Sequence, residues 1–195
     1  MDAKDYFDRA ETKSSLEEAI EDYSKAIELD TNYTAAYRAR GNTYLALNLE
    51  LLALDDLNKA IEIDPLDDAL WNDRAWIKEC IKENSGQEDY THSSFLRGVN
   101  LYLKGDYDSA FNQFSTVINC AFTHALAWYY RGLCSEERGE LNLALEDYTK
   151  GILLNPYFGE AYNRRGKVNS ELGDEEKALD DYAKAVGIEH MFPFP

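Results

Sequence analysis

The sequence predicts an all-α solenoid of stacked helical hairpins, and three observations carry that prediction. First, a short signature recurs six times: an aromatic residue or serine stands three places before an arginine, and a glycine or alanine follows the arginine at once. The copies are Tyr6/Arg9/Ala10, Tyr37/Arg40/Gly41, Trp71/Arg74/Ala75, Ser94/Arg97/Gly98, Trp128/Arg131/Gly132 and Tyr162/Arg165/Gly166. Second, the arginines are separated by 31, 34, 23, 34 and 34 residues, and a dominant period of that size marks supersecondary units stacked along an axis. Third, thirteen residues after Arg40, Arg97, Arg131 and Arg165 begins a triplet of a small, a bulky and a smaller residue, in Ala53/Leu57/Ala60, Ala110/Phe114/Val117, Ala144/Tyr148/Gly151 and Ala178/Tyr182/Ala185.

Offsets of four and three residues share one helix face, so each triplet marks a second helix whose small members let a neighbour approach while the bulky one fills the space between. The signature arginine marks the first helix of the same unit. Between the two stand Lys104-Gly105-Asp106, Arg138-Gly139-Glu140 and Leu172-Gly173-Asp174, where glycine accepts the left-handed turn that ends a helix. Asp64-Pro65 and Asn155-Pro156 stop the second helices, because proline lacks an amide donor and restricts the residue before it. In the first copy Ala19/Tyr23/Ala26 begins only ten residues after Arg9, which shortens the turn around Lys13-Ser14-Ser15 by three residues. In the third copy the thirteenth position after Arg74 is Gln87, inside the polar run Asn84 to Tyr90, and no second helix is expected there. The predicted organisation is therefore a block over 1–84 with two repeats and an unpaired or capping helix at roughly 68–83, a polar linker over 85–90, and a block over 91–195 with three repeats and a Phe/Pro tail. The unpaired helix either caps the face left open by helix 50–63 or, with the linker as a hinge, lets the two blocks clamp a partner.

Segment 34–67 carries Tyr37, Gly41, Tyr44, Ala53, Leu57, Ala60 and Pro65, and segments 91–124, 125–158 and 159–192 follow head to tail. In these residues the chain resembles the tetratricopeptide repeat. The resemblance implies a right-handed α-solenoid of five paired repeats plus one unpaired helix, acting through contacts with other proteins. Some members grip a terminal carboxylate with Lys, Asn and Arg on successive first helices. Here Arg38 and Asn42 imitate the first pair, but Ala69 and Asp73 occupy later places, so that clamp is not carried over.

Composition narrows the function classes. With 20 Lys and Arg against 37 Asp and Glu the net charge is -17, which repels phosphate backbones and anionic headgroups; neither nucleic acid nor a membrane is expected as a partner. The polar, acidic start and the lack of an 18-residue apolar stretch predict a soluble chain without a secretion signal. Cys80, Cys120 and Cys134 are odd in number and lack metal-ligand spacing, which points to reduced thiols and a cytoplasmic location. His92, His124 and His190 fall in different turns or tails and the glycines recur once per repeat. No catalytic, cofactor-binding or metal site is therefore expected, and no enzyme.

The arginine column is expected to be structural. Adjacent acids precede the bulky residue in four second helices, as Glu21-Asp22, Asp55-Asp56, Glu146-Asp147 and Asp180-Asp181. The arginine of the next helix is expected to pair with them and fix the register between repeats. Helix 107–119 carries Asn112-Gln113 instead, so Arg131 is expected to lack a partner and to matter less than Arg40.

First helices line the concave side of such arrays, and positions two and five on either side of each arginine share the face turned there. The candidate peptide-binding groove is Arg38, Asn42, Asn72, Trp76, Phe95, Val99, Tyr102, Leu126, Tyr129, Leu133, Asn163 and Lys167. Trp76, Phe95, Val99, Tyr102, Leu126, Tyr129 and Leu133 read as a contiguous apolar patch, either an interaction site or a surface buried where the missing helix tightens the curve. The tail Met191-Phe-Pro-Phe-Pro195 is barred from helix by its prolines; it either caps helix 175–187 or enters the groove of another copy and drives a homodimer. The expected function is a non-catalytic interaction module or scaffold binding a peptide segment of another protein. The alternative is a self-associating structural protein whose groove or last repeat is covered by its own tail.

Overall fold

A computed structural model of the chain describes residues 1–81 and 86–191. Among them are eleven helices and no strand: α1 Ala3–Glu11, α2 Leu16–Leu29, α3 Thr34–Ala46, α4 Glu50–Ile63, α5 Asp68–Cys80, α6 Gly86–Leu103, α7 Tyr107–Cys120, α8 Ala125–Glu137, α9 Leu141–Leu154, α10 Gly159–Glu171 and α11 Glu175–Met191. They form two compact units, Met1–Leu96 and Arg97–Pro195. Positions 82–83 of the expected third first helix, position 85 of the expected linker and the tail at 192–195 lie outside the described residues.

Consecutive helices pack as hairpins, with the predicted triplets at their centre. Ala53, Leu57 and Ala60 are fully buried on α4, as are Ala110, Phe114 and Val117 on α7 and Ala144 and Tyr148 on α9. The close approach is visible at Gly132, where an added Cβ would stand 2.7 Å from the Tyr148 ring. The predicted turns hold: Gly105, Gly139 and Gly173 adopt φ of 79°, 77° and 85°. The next amide reaches back five residues in each, Asp106 to the Leu101 carbonyl, Glu140 to Ser135 and Asp174 to Asn169, which satisfies helix-end carbonyls in the Schellman manner. In the second copy Asn48 takes the glycine's part at φ 56°.

Two expectations are corrected here. Residues 86–90, expected as linker, are the first turns of α6, and α5 is not unpaired. Arg74 on α5 donates from Nε and a terminal nitrogen to both oxygens of Asp89 on α6, at 2.8 and 2.9 Å. Gly86 lies against the Ala75 carbonyl. The start of α6 therefore serves as the second helix of the third hairpin, while its end, where an added Cβ on Gly98 would meet the Phe114 ring at 2.8 Å, serves as the first helix of the fourth. The 23-residue interval is eleven short of 34, and eleven residues make about three helical turns, so both roles keep phase on one continuous helix. The boundary between units accordingly falls inside α6, after Leu96, rather than in a linker.

The second correction concerns the arginines. Five of the six pair with the aspartate of their own hairpin: Arg9 with Asp22, Arg40 with Asp56, Arg74 with Asp89, Arg131 with Asp147 and Arg165 with Asp181. Arg131 does not lack a partner; its fork meets Asp147 at 2.9 and 2.7 Å. The link to the preceding repeat is made instead by the remaining terminal nitrogen, which reaches Ser24 from Arg40, Asn58 from Arg74, Ser115 from Arg131 and Thr149 from Arg165. The aromatic three residues earlier lies under the guanidinium, at 4.7 Å for Arg74 over Trp71 and 4.8 Å for Arg131 over Trp128, a cation–π arrangement. At Arg40, Arg74, Arg131 and Arg165 the signature thus surrounds the guanidinium with a ring below, an aspartate in front and a hydroxyl or amide behind, and it leaves a small residue where the second helix comes close.

Candidate functional site

In the N-terminal unit the predicted groove positions of two successive first helices converge. Phe7 and Glu11 of α1 with Ala35, Arg38 and Asn42 of α3 line an open depression of about 510 Å³, with Tyr23 of α2 behind them. Residues four apart on a helix present one face, which is why Phe7/Glu11 and Arg38/Asn42 meet there. The floor is aromatic: the Phe7 ring lies 5.6 Å from Tyr23 and 5.2 Å from Tyr33. The Tyr23 hydroxyl donates to Glu11. Burial, with that hydrogen bond, holds the phenol well above its ordinary pKa. Arg38 is committed, since its Nε donates to Asp73 of α5 at 2.7 Å. Asn42 is exposed at the rim. Asn72 is partly exposed, Trp76 is 55% exposed on α5, and Phe95 is partly buried on α6.

The C-terminal unit brings its candidates into a different setting. Val99 is partly buried, Leu126 exposed and Asn163 exposed. The half-buried Tyr102 meets Tyr130 edge-on at 6.1 Å, and Tyr129 packs on Phe158 at 4.8 Å. Leu133, expected on the groove, is only 5% exposed. It belongs to the core with Ala144, Tyr148 and Val168, because the neighbouring hairpin covers it. Lys167 is exposed but engaged, 2.5 Å from Glu136.

Glu136 organises this face. Its side chain is nearly enclosed, yet accepts from Lys167 and Arg164 of α10 and from the Tyr148 hydroxyl of α9 at 2.8 Å. Burial pushes its carboxyl up, but the hydrogen bonds from Lys167 and Tyr148 and the charge of Arg164 outweigh it and leave the group below the ordinary carboxylate range. Arg164 also faces Tyr129. Glu136 stands at a position read as facing the groove but is not among the candidate binding residues, and Arg164 is in neither set. The available signals were the position of Glu136, five after Arg131, and the adjacency of Arg164 to Arg165.

Two histidines have local roles. His124 Nδ1 accepts the Ala127 amide as the N-cap of α8, and the His92 ring packs 4.0 Å from that of Trp71. Among the described residues no group of three or more His, Cys, Asp or Glu is placed to hold a metal ion. No described helix is long and apolar enough to cross a membrane.

A family model described as TPR repeat matches residues 13–48, and one described as Tetratricopeptide repeat matches residues 159–189. No curated protein matches the chain. Among solved structures it is similar to MamA 41-end from Desulfovibrio magneticus RS-1, at 18% identity and a TM-score of 0.46 over 98% of this chain and 97% of that one. It is also similar to YrrB, described as a TPR protein with an unusual peptide-binding site, at 22% identity and a TM-score of 0.43 over 98% and 88%. A likeness to the APC/C hetero-tetramer Cut9-Hcn1 has 13% identity and a TM-score of 0.52, and covers 96% of this chain but 40% of that one; it is a likeness of fold. With its stacked hairpins and these two matches, the chain carries tetratricopeptide repeats at residues 13–48 and 159–189.

Proposed function

We propose that this chain is a non-catalytic, cytoplasmic protein-interaction module that binds an extended segment of another protein along the first-helix face of its N-terminal unit. The observation that carries this reading is the convergence of Phe7, Glu11, Ala35, Arg38 and Asn42 on one open depression of about 510 Å³. Its aromatic floor suits an apolar side chain. The exposed Asn42 amide offers both a donor and an acceptor to a peptide backbone. The Glu11 carboxylate and the net charge of -17 disfavour acidic segments. Leu126, Tyr129 and Asn163 make the first-helix face of the C-terminal unit a second contact surface in the same reading.

The test is selection of binders from a neutral and basic peptide library, followed by titration against Ala35→Arg and Asn42→Leu, both exposed positions. Asn42→Leu is expected to weaken binding about tenfold, or about 1.4 kcal/mol, and Ala35→Arg to abolish it, with the helical circular dichroism unchanged. Undiminished binding by both variants overturns the site. A mass that rises with concentration and falls on deletion of 190–195 would support self-association through the tail instead.

A further inference from the structure

The last second helix exposes what the earlier ones bury. Five residues after the hairpin aspartate, or after its counterpart Gln113, stands an aliphatic residue: Ile27, Ile61, Ile118 and Ile152 are 8, 7, 5 and 8% exposed, whereas Val186 of α11 is 50% exposed. One place after the aspartate, Tyr23, Leu57, Phe114 and Tyr148 are at most 5% exposed, while Tyr182 reaches 36%. Two places before it, Leu179 is 68% exposed, whereas Ile20, Leu54, Phe111 and Leu145 are partly buried. Leu179, Tyr182 and Val186 share one face by their spacing of three and four. In the earlier hairpins the cover is a helix: Phe158 and Ala161 at the start of α10 lie over Ile152.

Three candidates for the cover can be separated. The segment 192–195 spans at most about 14 Å, while Leu179 lies twelve residues, about 18 Å, back along α11 from Met191, so that segment does not reach the whole strip. A repeat of the same kind is disfavoured by Ala183. It occupies the place of Ser24, Asn58, Ser115 and Thr149, whose side chains receive the following repeat's arginine. A second copy would bring together two chains of net charge -17. Charge points elsewhere. Glu175 and Glu176 flank the strip at one end and Glu189 at the other, all exposed, while Lys177 and Lys184 are already engaged by Asp174 and Asp180.

We propose that the Leu179/Tyr182/Val186 face of α11 docks an amphipathic helix of another protein that carries lysine or arginine along its polar flanks. This surface is distinct from the depression in the N-terminal unit. Two synthetic helical peptides with the same leucine face, one flanked by lysines and one by glutamates, are titrated by fluorescence anisotropy against the full chain. The lysine peptide is expected to bind at least tenfold tighter at low salt and to weaken as salt rises. Leu179→Asp with Val186→Asp is expected to abolish binding, and Ala35→Arg to leave it unchanged. A second variant, which leaves the apolar face intact and so separates lost docking from lost folding, is Glu175→Lys with Glu176→Lys and Glu189→Lys. It is expected to reverse the preference toward the glutamate peptide. Equal or absent binding of the two peptides overturns the proposal. So does binding that appears only when 192–195 are deleted, or a concentration-dependent dimer dissolved by Leu179→Asp.

Discussion

In the N-terminal unit Arg38 reaches across to Asp73 in a pair that water can still touch, with side-chain exposures of 38 and 22%. In the C-terminal unit Arg164 and Lys167 both turn onto Glu136, whose side chain is 6% exposed. The first arrangement is a surface pair of modest value. The second is an enclosed carboxylate with three donors, where losing one member leaves the others unsatisfied. Both units use one hairpin clamp, so the difference resides in what each builds on its first-helix face: an open, aromatic-floored depression in one, a closed polar network among tyrosines in the other. Openness suits binding and enclosure suits rigidity, which is why the proposed peptide site lies in the N-terminal unit.

The sharpest way to break that comparison is at the clamps. Asp147→Ala leaves the Arg131 guanidinium partly buried without its carboxylate and is expected to cost about 3–5 kcal/mol in urea unfolding. Asp22→Ala should cost clearly less, because Arg9 is 40% exposed against 16% for Arg131. Equal losses would mean that enclosure does not grade the clamps. Arg40→Ala and Arg131→Ala should be similar to each other, since both arginines make the same bidentate pair and the same backward contact.

Next in size, Glu136→Ala should destabilise by about 1–3 kcal/mol, whereas Asp73→Ala should stay within about 1 kcal/mol. The reverse order in calorimetry would sink the contrast between closed and open faces. Gly132→Ala should also lose about 1–3 kcal/mol by overpacking against Tyr148. Gly41→Ala should be near neutral, because its new Cβ meets the Ala53 carbonyl at 3.3 Å while alanine gains up to about 1 kcal/mol of helix propensity.

A smaller change, in the stabilising direction, is expected at Leu49. It occupies the N-cap of α4 without a side-chain hydrogen bond, whereas Asp106 caps α7 by accepting the Ser109 amide. Leu49→Asp should add about 1 kcal/mol, read as a higher denaturation midpoint. The smallest effect is one of pH. Burial lowers the pKa of His124 below 6.5, and its neutral Nδ1 caps α8. A depressed folded pKa contributes stability that is fully present above pH 6.5 and is lost as pH falls through the folded value. His124→Asn should keep the cap and flatten that slope; an unchanged slope would assign it to other groups.

Much of the fold was legible because it is local. The 34-residue spacing, the i, i+4, i+7 triplets and the glycine and proline stops all act within a few residues, and α4 begins and ends where they place it. The third repeat escapes that pattern for a physical reason. Its second helix carries the small-bulky-small triplet as Gly86/Tyr90/Ser93, but begins it twelve rather than thirteen residues after Arg74 and runs on into the next first helix, so a pattern search at the usual offset finds Gln87. Asp89 was the available signal, fifteen residues after Arg74 where Asp56 stands sixteen after Arg40. Of the candidate groove positions, Asn42, Trp76, Leu126, Asn163 and Lys167 are exposed and Leu133 is buried, because burial at Leu133 depends on the neighbouring hairpin and not on its own helix.

By itself the sequence determined the helices, most of their hairpin pairing and the residue types at the turns, since backbone geometry and side-chain periodicity are properties of neighbouring residues. The tertiary structure decided which carboxylate each arginine holds, that α5 pairs with the start of α6, that Leu133 is covered, that Glu136 gathers Arg164, Lys167 and Tyr148, and that α11 leaves Val186 open. Those outcomes depend on distances of a few ångströms between residues such as Glu136 and its donors, 12 to 31 positions apart in the chain, and such distances are set only when whole helices have packed.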